Sequence, residues 1–131
     1  MHVLVTGGLG YIGSALVPRL LDADDVDGVT ILDNLSGGSP RSLVGTGLGE
    51  ASGFHYRRGD VREYGDIESA MRGVDAVVHL AAITGAASTH DRREETFAVN
   101  LDGTKNVLTA AAKQDIDNVV FASSCNNYGR T

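Results

Sequence analysis

Thr6-Gly7-Gly8-Leu9-Gly10-Tyr11-Ile12-Gly13 follows a Val-rich apolar run at His2–Thr6 and opens a segment with Ile12, Ala15, Leu16 and Leu20 on one helical face. This reads as strand, tight turn, helix. The stretch contains Gly8-x-Gly10-x-x-Gly13 and also the wider Gly7-x-x-Gly10-x-x-Gly13. Glycine serves three purposes there: it makes the sharp turn, lets backbone approach a pyrophosphate, and lets helix and strand pack closely. The helix N-terminus supplies unpaired N–H groups and a dipole that favour the negative charge. A glycine string alone is a weak signal, but Asp33 closes a second β-prone run about 20 residues past Gly13, where the ribose-binding acid of a dinucleotide site belongs. A carboxylate there accepts from both ribose hydroxyls and repels a 2′-phosphate. Asn34 and Leu35 follow it where an NADP site would offer an Arg, so NAD is expected over NADP.

Working outward, Val29–Asp33, Phe54–Arg57, Ala76–Leu80 and Asn118–Ala122 are four more short β-prone runs with connections long enough for crossovers. The expected fold is α/β: a Rossmann-type doubly wound parallel sheet with five strands in the order 3-2-1-4-5, incomplete at its C-terminal end. Tyr64–Arg72 has a helical pattern. Asp91–Gln114 carries Phe97, Leu101, Thr104, Leu108 and Ala111 at spacings of four and three, predicting the longest helix with that stripe laid on the sheet. Ser36–Ser52 is rich in Gly, Ser and Thr and reads as a loop with one weak helical turn near Leu43, Val44 and Leu48. Residues 1–131 are expected to form one NAD-binding domain.

Composition removes several other classes of function. At 42% hydrophobic and 21% charged residues, with no long apolar run, the chain reads as a globular protein without a membrane span, and a cytoplasmic address is expected. A net charge of -6 argues against sequence-independent nucleic-acid binding, which draws on Lys and Arg, and Arg57 with Arg58 is too few to reverse it. Cys125 is the only cysteine, so no internal disulfide forms and no metal site is expected. Twelve of the 17 acids are Asp, a bias that suits either a high-salt cytoplasm or a GC-rich genome. His79 and His90 are weak site candidates, since a histidine ending a core strand is more often a packed neighbour than a catalyst.

Six ordered blocks carry a more specific signal: TGGLGYIG at 6–13, LDNLSGG at 32–38, GDVRE at 59–63, HLAA at 79–82, NLDGTKNVL at 100–108 and SSCNNYG at 123–129. Together they resemble the extended short-chain dehydrogenases/reductases, and within them the UDP-glucose 4-epimerase-like sugar-nucleotide epimerases and dehydratases. The resemblance implies that Gly7, Gly10, Tyr11, Ile12 and Gly13 hold the pyrophosphate and that Asp33 with Asn34 holds the adenosine ribose. It implies that Asp60 accepts from the adenine amino group with Val61 beside the ring, Asp60 being also a candidate N-cap for the following helix. Leu80, Ala81 and Ala82 would line the nicotinamide side. Asn100 and Ser123 are further candidates for cofactor contact, and for Asn100 a role tying the long helix to the loop after strand four is equally open. Ser124 matches the family's catalytic Ser/Thr, whose hydroxyl hydrogen-bonds the reacting sugar oxygen while a Tyr, made acidic by a Lys one turn away, moves the proton. A plain turn residue is the alternative for Ser124.

The sequence departs from that pattern in places. Asn126-Asn127 precedes Tyr128, Thr84 stands where many epimerases have a longer polar or basic residue, and Asp91-Arg92 replaces the usual proline before the long helix. No complete Tyr-x-x-x-Lys is present: Tyr11, Tyr56 and Tyr64 are followed four positions on by Ala15, Asp60 and Glu68, and only three residues follow Tyr128. The expectation is therefore the NAD-binding front part of a nucleotide-sugar epimerase or dehydratase, binding cofactor without turnover by itself. Two alternatives stay open, a non-catalytic NAD-binding module and an NAD-dependent dehydrogenase or reductase of a non-sugar alcohol. An apolar fifth strand without a covering helix also predicts self-association, as a homo-oligomer or through its sheet edge.

Overall fold

The computed structural model describes residues 1–43, 52–85 and 90–123. Strands β1 (His2–Thr6), β2 (Gly28–Asp33), β3 (Phe54–Arg58), β4 (Ala76–His79) and β5 (Asn118–Phe121) form one parallel sheet in the order β3-β2-β1-β4-β5. The register aligns Thr6 with both Leu32 and His79, and Asp33 with Arg58, so the carboxyl ends of the strands share one edge.

Side chains alternate between two apolar layers. Val3, Val5, Val29 and Ile31 face helix α1 (Tyr11–Leu21) through Val17, while Leu4, Leu32 and Val77 face α2 (Tyr64–Ala70) and a last helix, α4 (Thr104–Lys113), through Ile67, Val107, Ala110 and Ala111. Covered on both faces, β2 is buried along its whole length, which explains why Val29–Leu32 reads as a near-continuous run and not as an alternation. The edges differ: His55–Arg58 of β3 and Val120 and Phe121 of β5 are exposed.

Two helix faces differ from the sequence expectation. On α1 the buried residues are Gly13 and Val17, whereas Ile12 is 59% exposed and Ala15 also faces solvent. The cause is close approach: a Cβ on Gly13 would stand 2.6 Å from the carbonyl carbon of Gly8, so the bare side of the helix lies on the turn. The second difference concerns the long helix. It runs as α3 (Arg93–Phe97), a π-helical turn (Ala98–Gly103) and α4, and it buries Val99, Gly103, Val107, Ala110 and Ala111. Phe97, Leu101 and Leu108 are 56%, 47% and 50% exposed. A Cβ on Gly103 would meet Val61 Cγ2 at 2.6 Å, so this helix packs too closely for large residues to face inward, and the small ones do. Pro40–Leu43 is a 3-10 turn, placed just before the weak helix read around Leu43, Val44 and Leu48; residues 44–51 lie outside the described residues.

Candidate functional site

At the carboxyl edge of the sheet a cleft of about 360 Å³ runs from the end of β2 across the glycine turn to the loop after β4. Open α/β sheets bind ligands at this edge, where the strand order reverses. Nine of the residues singled out in the sequence line it: Gly7, Gly10, Tyr11, Asp33, Asn34, Val61, Leu80, Ala81 and Ala82. Ile12, Gly13, Asp60, Asn100 and Ser123 do not line it, and Ser124 lies outside the described residues.

The floor is the turn between β1 and α1. Gly7 has φ +68°, and a Cβ there would stand 2.7 Å from Cα and N of Ala81, so the turn and the loop after β4 touch backbone to backbone. Gly7 N–H donates to Leu32 O at 2.8 Å and Gly10 N–H to Gly7 O at 3.1 Å. The first intrahelical bond of α1 is Ser14 N–H to Gly10 O at 2.9 Å, and no side chain caps the helix. The amides of Tyr11, Ile12 and Gly13 thus form an uncapped first turn beside the cleft, a setting that favours an anion.

At one end Asp33 is 7% exposed. Its Oδ2 accepts from Leu9 N–H at 3.1 Å and its Oδ1 from Leu35 N–H at 2.8 Å, Leu35 taking φ 65° to reach it. Each oxygen keeps a lone pair for a further donor, so the carboxylate is aimed by backbone and still able to accept from a diol. Asn34 Oδ1 accepts from Ser36 N–H at 2.9 Å, and its Nδ2 donates to Asp60 Oδ2 at 2.8 Å.

Asp60 departs from the N-cap role and is already paired within the protein. Arg62 grips it with two bonds, Nε to Oδ1 at 3.0 Å and Nη2 to Oδ2 at 2.7 Å, and that guanidinium holds the Asp60 carboxyl well below the usual carboxylate range. The N-cap of α2 is Glu63, without a side-chain cap bond. A line of charge continues from Arg62 to Glu95 at 4.0 Å and on to Arg92 at 3.5 Å, and Arg92 lines the cleft.

The far wall is Leu80–Thr84. Asn100 fastens it with both amide atoms: Oδ1 accepts from Ile83 N–H at 2.8 Å and Nδ2 donates to Ile83 O at 2.9 Å. Of its two open readings, the structure displays the tie between helix and loop. Sequence reasoning passed over Gly59, Ile83 and Arg92 as lining residues, and Arg62 as the partner of Asp60; in the sequence, Arg62 signalled itself only as part of the GDVRE block. Among the described residues no group of three or more His, Cys, Asp or Glu is placed to hold a metal ion. Among them, too, no helix is long and apolar enough to cross a membrane.

Compared with known proteins, residues 3–131 match the model of the NAD dependent epimerase/dehydratase family. The chain belongs to that family. It is 35% identical over 98% of its length to the bifunctional UDP-glucose 4-epimerase and UDP-xylose 4-epimerase 3 of Arabidopsis thaliana, and covers 38% of that protein. To the dTDP-glucose 4,6-dehydratase of an Actinoplanes strain it is 37% identical over 98% of its length, covering 42% of that enzyme. Among solved structures, the Thermus thermophilus UDP-glucose 4-epimerase in complex with NAD superposes with a TM-score of 0.81 at 34% identity, over 95% of this chain and 38% of the other. The chain thus spans well under half the length of these epimerase/dehydratase relatives.

Proposed function

We propose that this chain is an NAD-binding domain and forms the cofactor-holding front part of a nucleotide-sugar epimerase or dehydratase. The observation that carries the reading is the pairing, in one cleft, of an uncapped helix N-terminus behind Gly7 and Gly10 with the backbone-aimed carboxylate of Asp33. The turn takes the pyrophosphate, with Tyr11, Ile12 and Gly13 giving amides, and Asp33 takes the ribose diol with Asn34 beside it. Val61 and Asp60 flank the adenine end, and Leu80, Ala81 and Ala82 leave room for the nicotinamide. Asn100 acts through Ile83, and Ser123 and Ser124, which follow β5 in the sequence, are read as the residues that handle the substrate hydroxyl. What NAD supplies when bound is a reversible hydride acceptor for a sugar carbon. Tyr11, Tyr56 and Tyr64 have no Lys four residues on, and residues 1–131 are read as binding cofactor without turnover by themselves.

The family and the names of the relatives support isomerase or lyase chemistry on a nucleotide sugar in the whole protein. A cytoplasmic location goes with a single cysteine and an NAD cofactor. The exposed Val120 and Phe121 on an edge strand support self-association of the chain, which a monomeric mass in sedimentation would refute. The test of function is equilibrium dialysis with NAD followed by incubation with UDP-glucose. Retained NAD without formation of a second sugar nucleotide is expected; turnover, or no retained NAD, would reject the reading.

A further inference from the structure

Behind the far wall of the cleft lies a closed chain of hydrogen bonds that the cofactor reading does not use. His79, at the end of β4, is buried, with the Phe121 ring stacked 5.9 Å away. Its Nδ1 lies 2.6 Å from Thr6 Oγ1 and its Nε2 lies 3.0 Å from Thr104 Oγ1. The direction of every bond can be worked out. Thr104 Oγ1 is 2.7 Å from Asn100 O, a carbonyl that only accepts, so the Thr104 hydroxyl proton is spent there and its oxygen must accept from His79 Nε2–H. In the neutral ring Nδ1 is then bare and accepts from the Thr6 hydroxyl, whose oxygen accepts in turn from Ala81 N–H at 3.4 Å.

The chain joins three elements around the segment that faces the cleft. Thr6 immediately precedes Gly7, and its carbonyl accepts from Leu80 N–H at 3.0 Å. At the other end Thr104 holds the carbonyl of Asn100, whose side chain clasps Ile83. Leu80 to Ile83 is therefore held from both ends by groups that converge on one imidazole. The contact it makes with Gly7 leaves no room for error, since the space of a single Cβ is already filled.

We propose that His79 is a positioning residue of the cofactor cleft: as the neutral Nε2–H tautomer between Thr6 and Thr104, it fixes Leu80–Ile83 against the Gly7 turn and thereby sets the shape offered to the nicotinamide half of NAD. The proposal rests on the NAD reading of the cleft. Thr104 does not line the cleft, so it reports on the relay without touching ligand. Thr104→Ser keeps the hydroxyl, whereas the near-isosteric Thr104→Val leaves the Nε2–H of His79 without its acceptor.

The test measures NAD affinity of the purified chain and of both variants by calorimetry, at a temperature where circular dichroism shows all three folded, together with ring-nitrogen NMR of His79 in the unaltered chain. Expected are an Nε2–H tautomer, affinity within about twofold for the Ser variant, and about a tenfold loss for the Val variant. Binding by the Val variant as tight as by the Ser variant overturns the positioning role while leaving the NAD reading intact, and so does an Nδ1–H tautomer, even if the Val variant does not fold. Failure of the unaltered chain to bind NAD removes the NAD reading, and this proposal with it.

Discussion

Acid should unfold this chain in a way that one side chain dominates. Burial holds His79 down to about 4 from the ordinary 6.5, so the folded protein resists a proton that the unfolded chain takes up freely. Between those two values the unfolded state binds more protons, and stability falls as pH falls. At about 1.4 kcal/mol per pH unit, the whole interval is worth about 3 kcal/mol, a large part of the roughly 5–15 kcal/mol that holds a domain together. Asp60 acts in the same direction but lower on the pH scale: its depressed value gives stability that is present above the unfolded 3.8 and is lost as pH falls further. It therefore contributes little in the same window. His2, also lowered by burial, does contribute there and must be subtracted. Urea unfolding of the native chain and of His79→Gln, at about pH 7 and about pH 4, makes that subtraction, because both proteins share every other group. The native chain is expected to lose about 3 kcal/mol more than the variant on acidification. Equal losses would refute the reasoning. So would an NMR titration of His79 in the native chain centred near 6.5, a measurement that does not depend on the variant folding.

Gly7→Ala forces a side chain into φ +68° and puts a Cβ 2.7 Å from Ala81 backbone atoms, so thermal melting should show a drop of at least roughly 4–8 °C, with NAD binding lost. A melting temperature within a degree of the native chain would contradict the turn geometry. Arg62→Leu removes the guanidinium from Asp60, and carbon-detected NMR should find that carboxyl titrating back toward the ordinary 3.8. Because Arg62 is 39% exposed, the same change should alter stability at neutral pH by no more than about 1 kcal/mol in chemical unfolding.

The fold was legible because its signals are local. The glycine string between a strand and a helix, and an acid at the end of the next strand, place β1, α1, β2 and Asp33 without any long-range information, and the observed strand order follows. Helix faces were less legible for one physical reason. Large apolar residues ordinarily mark the core face, but Gly13 and Gly103 bring their helices so close to neighbouring backbone and side chain that the inward positions go to small residues, leaving Ile12, Phe97, Leu101 and Leu108 outside. The N-cap reading of Asp60 failed because the helix begins behind Glu63, and Arg62, two residues away, pairs with the Asp60 carboxylate instead. The relay through His79 was out of reach of the sequence altogether, since Thr6 and His79 stand 73 positions apart and meet only through strand register.

Whether the cleft holds NAD through Asp33 decides what this chain does. Titrating NAD and NADP into the native chain and into Asp33→Ala tests this directly: saturable binding that favours NAD, and a preference that fades in the variant, is the predicted result. A folded native chain that binds neither nucleotide, or binds both alike with and without Asp33, would contradict it.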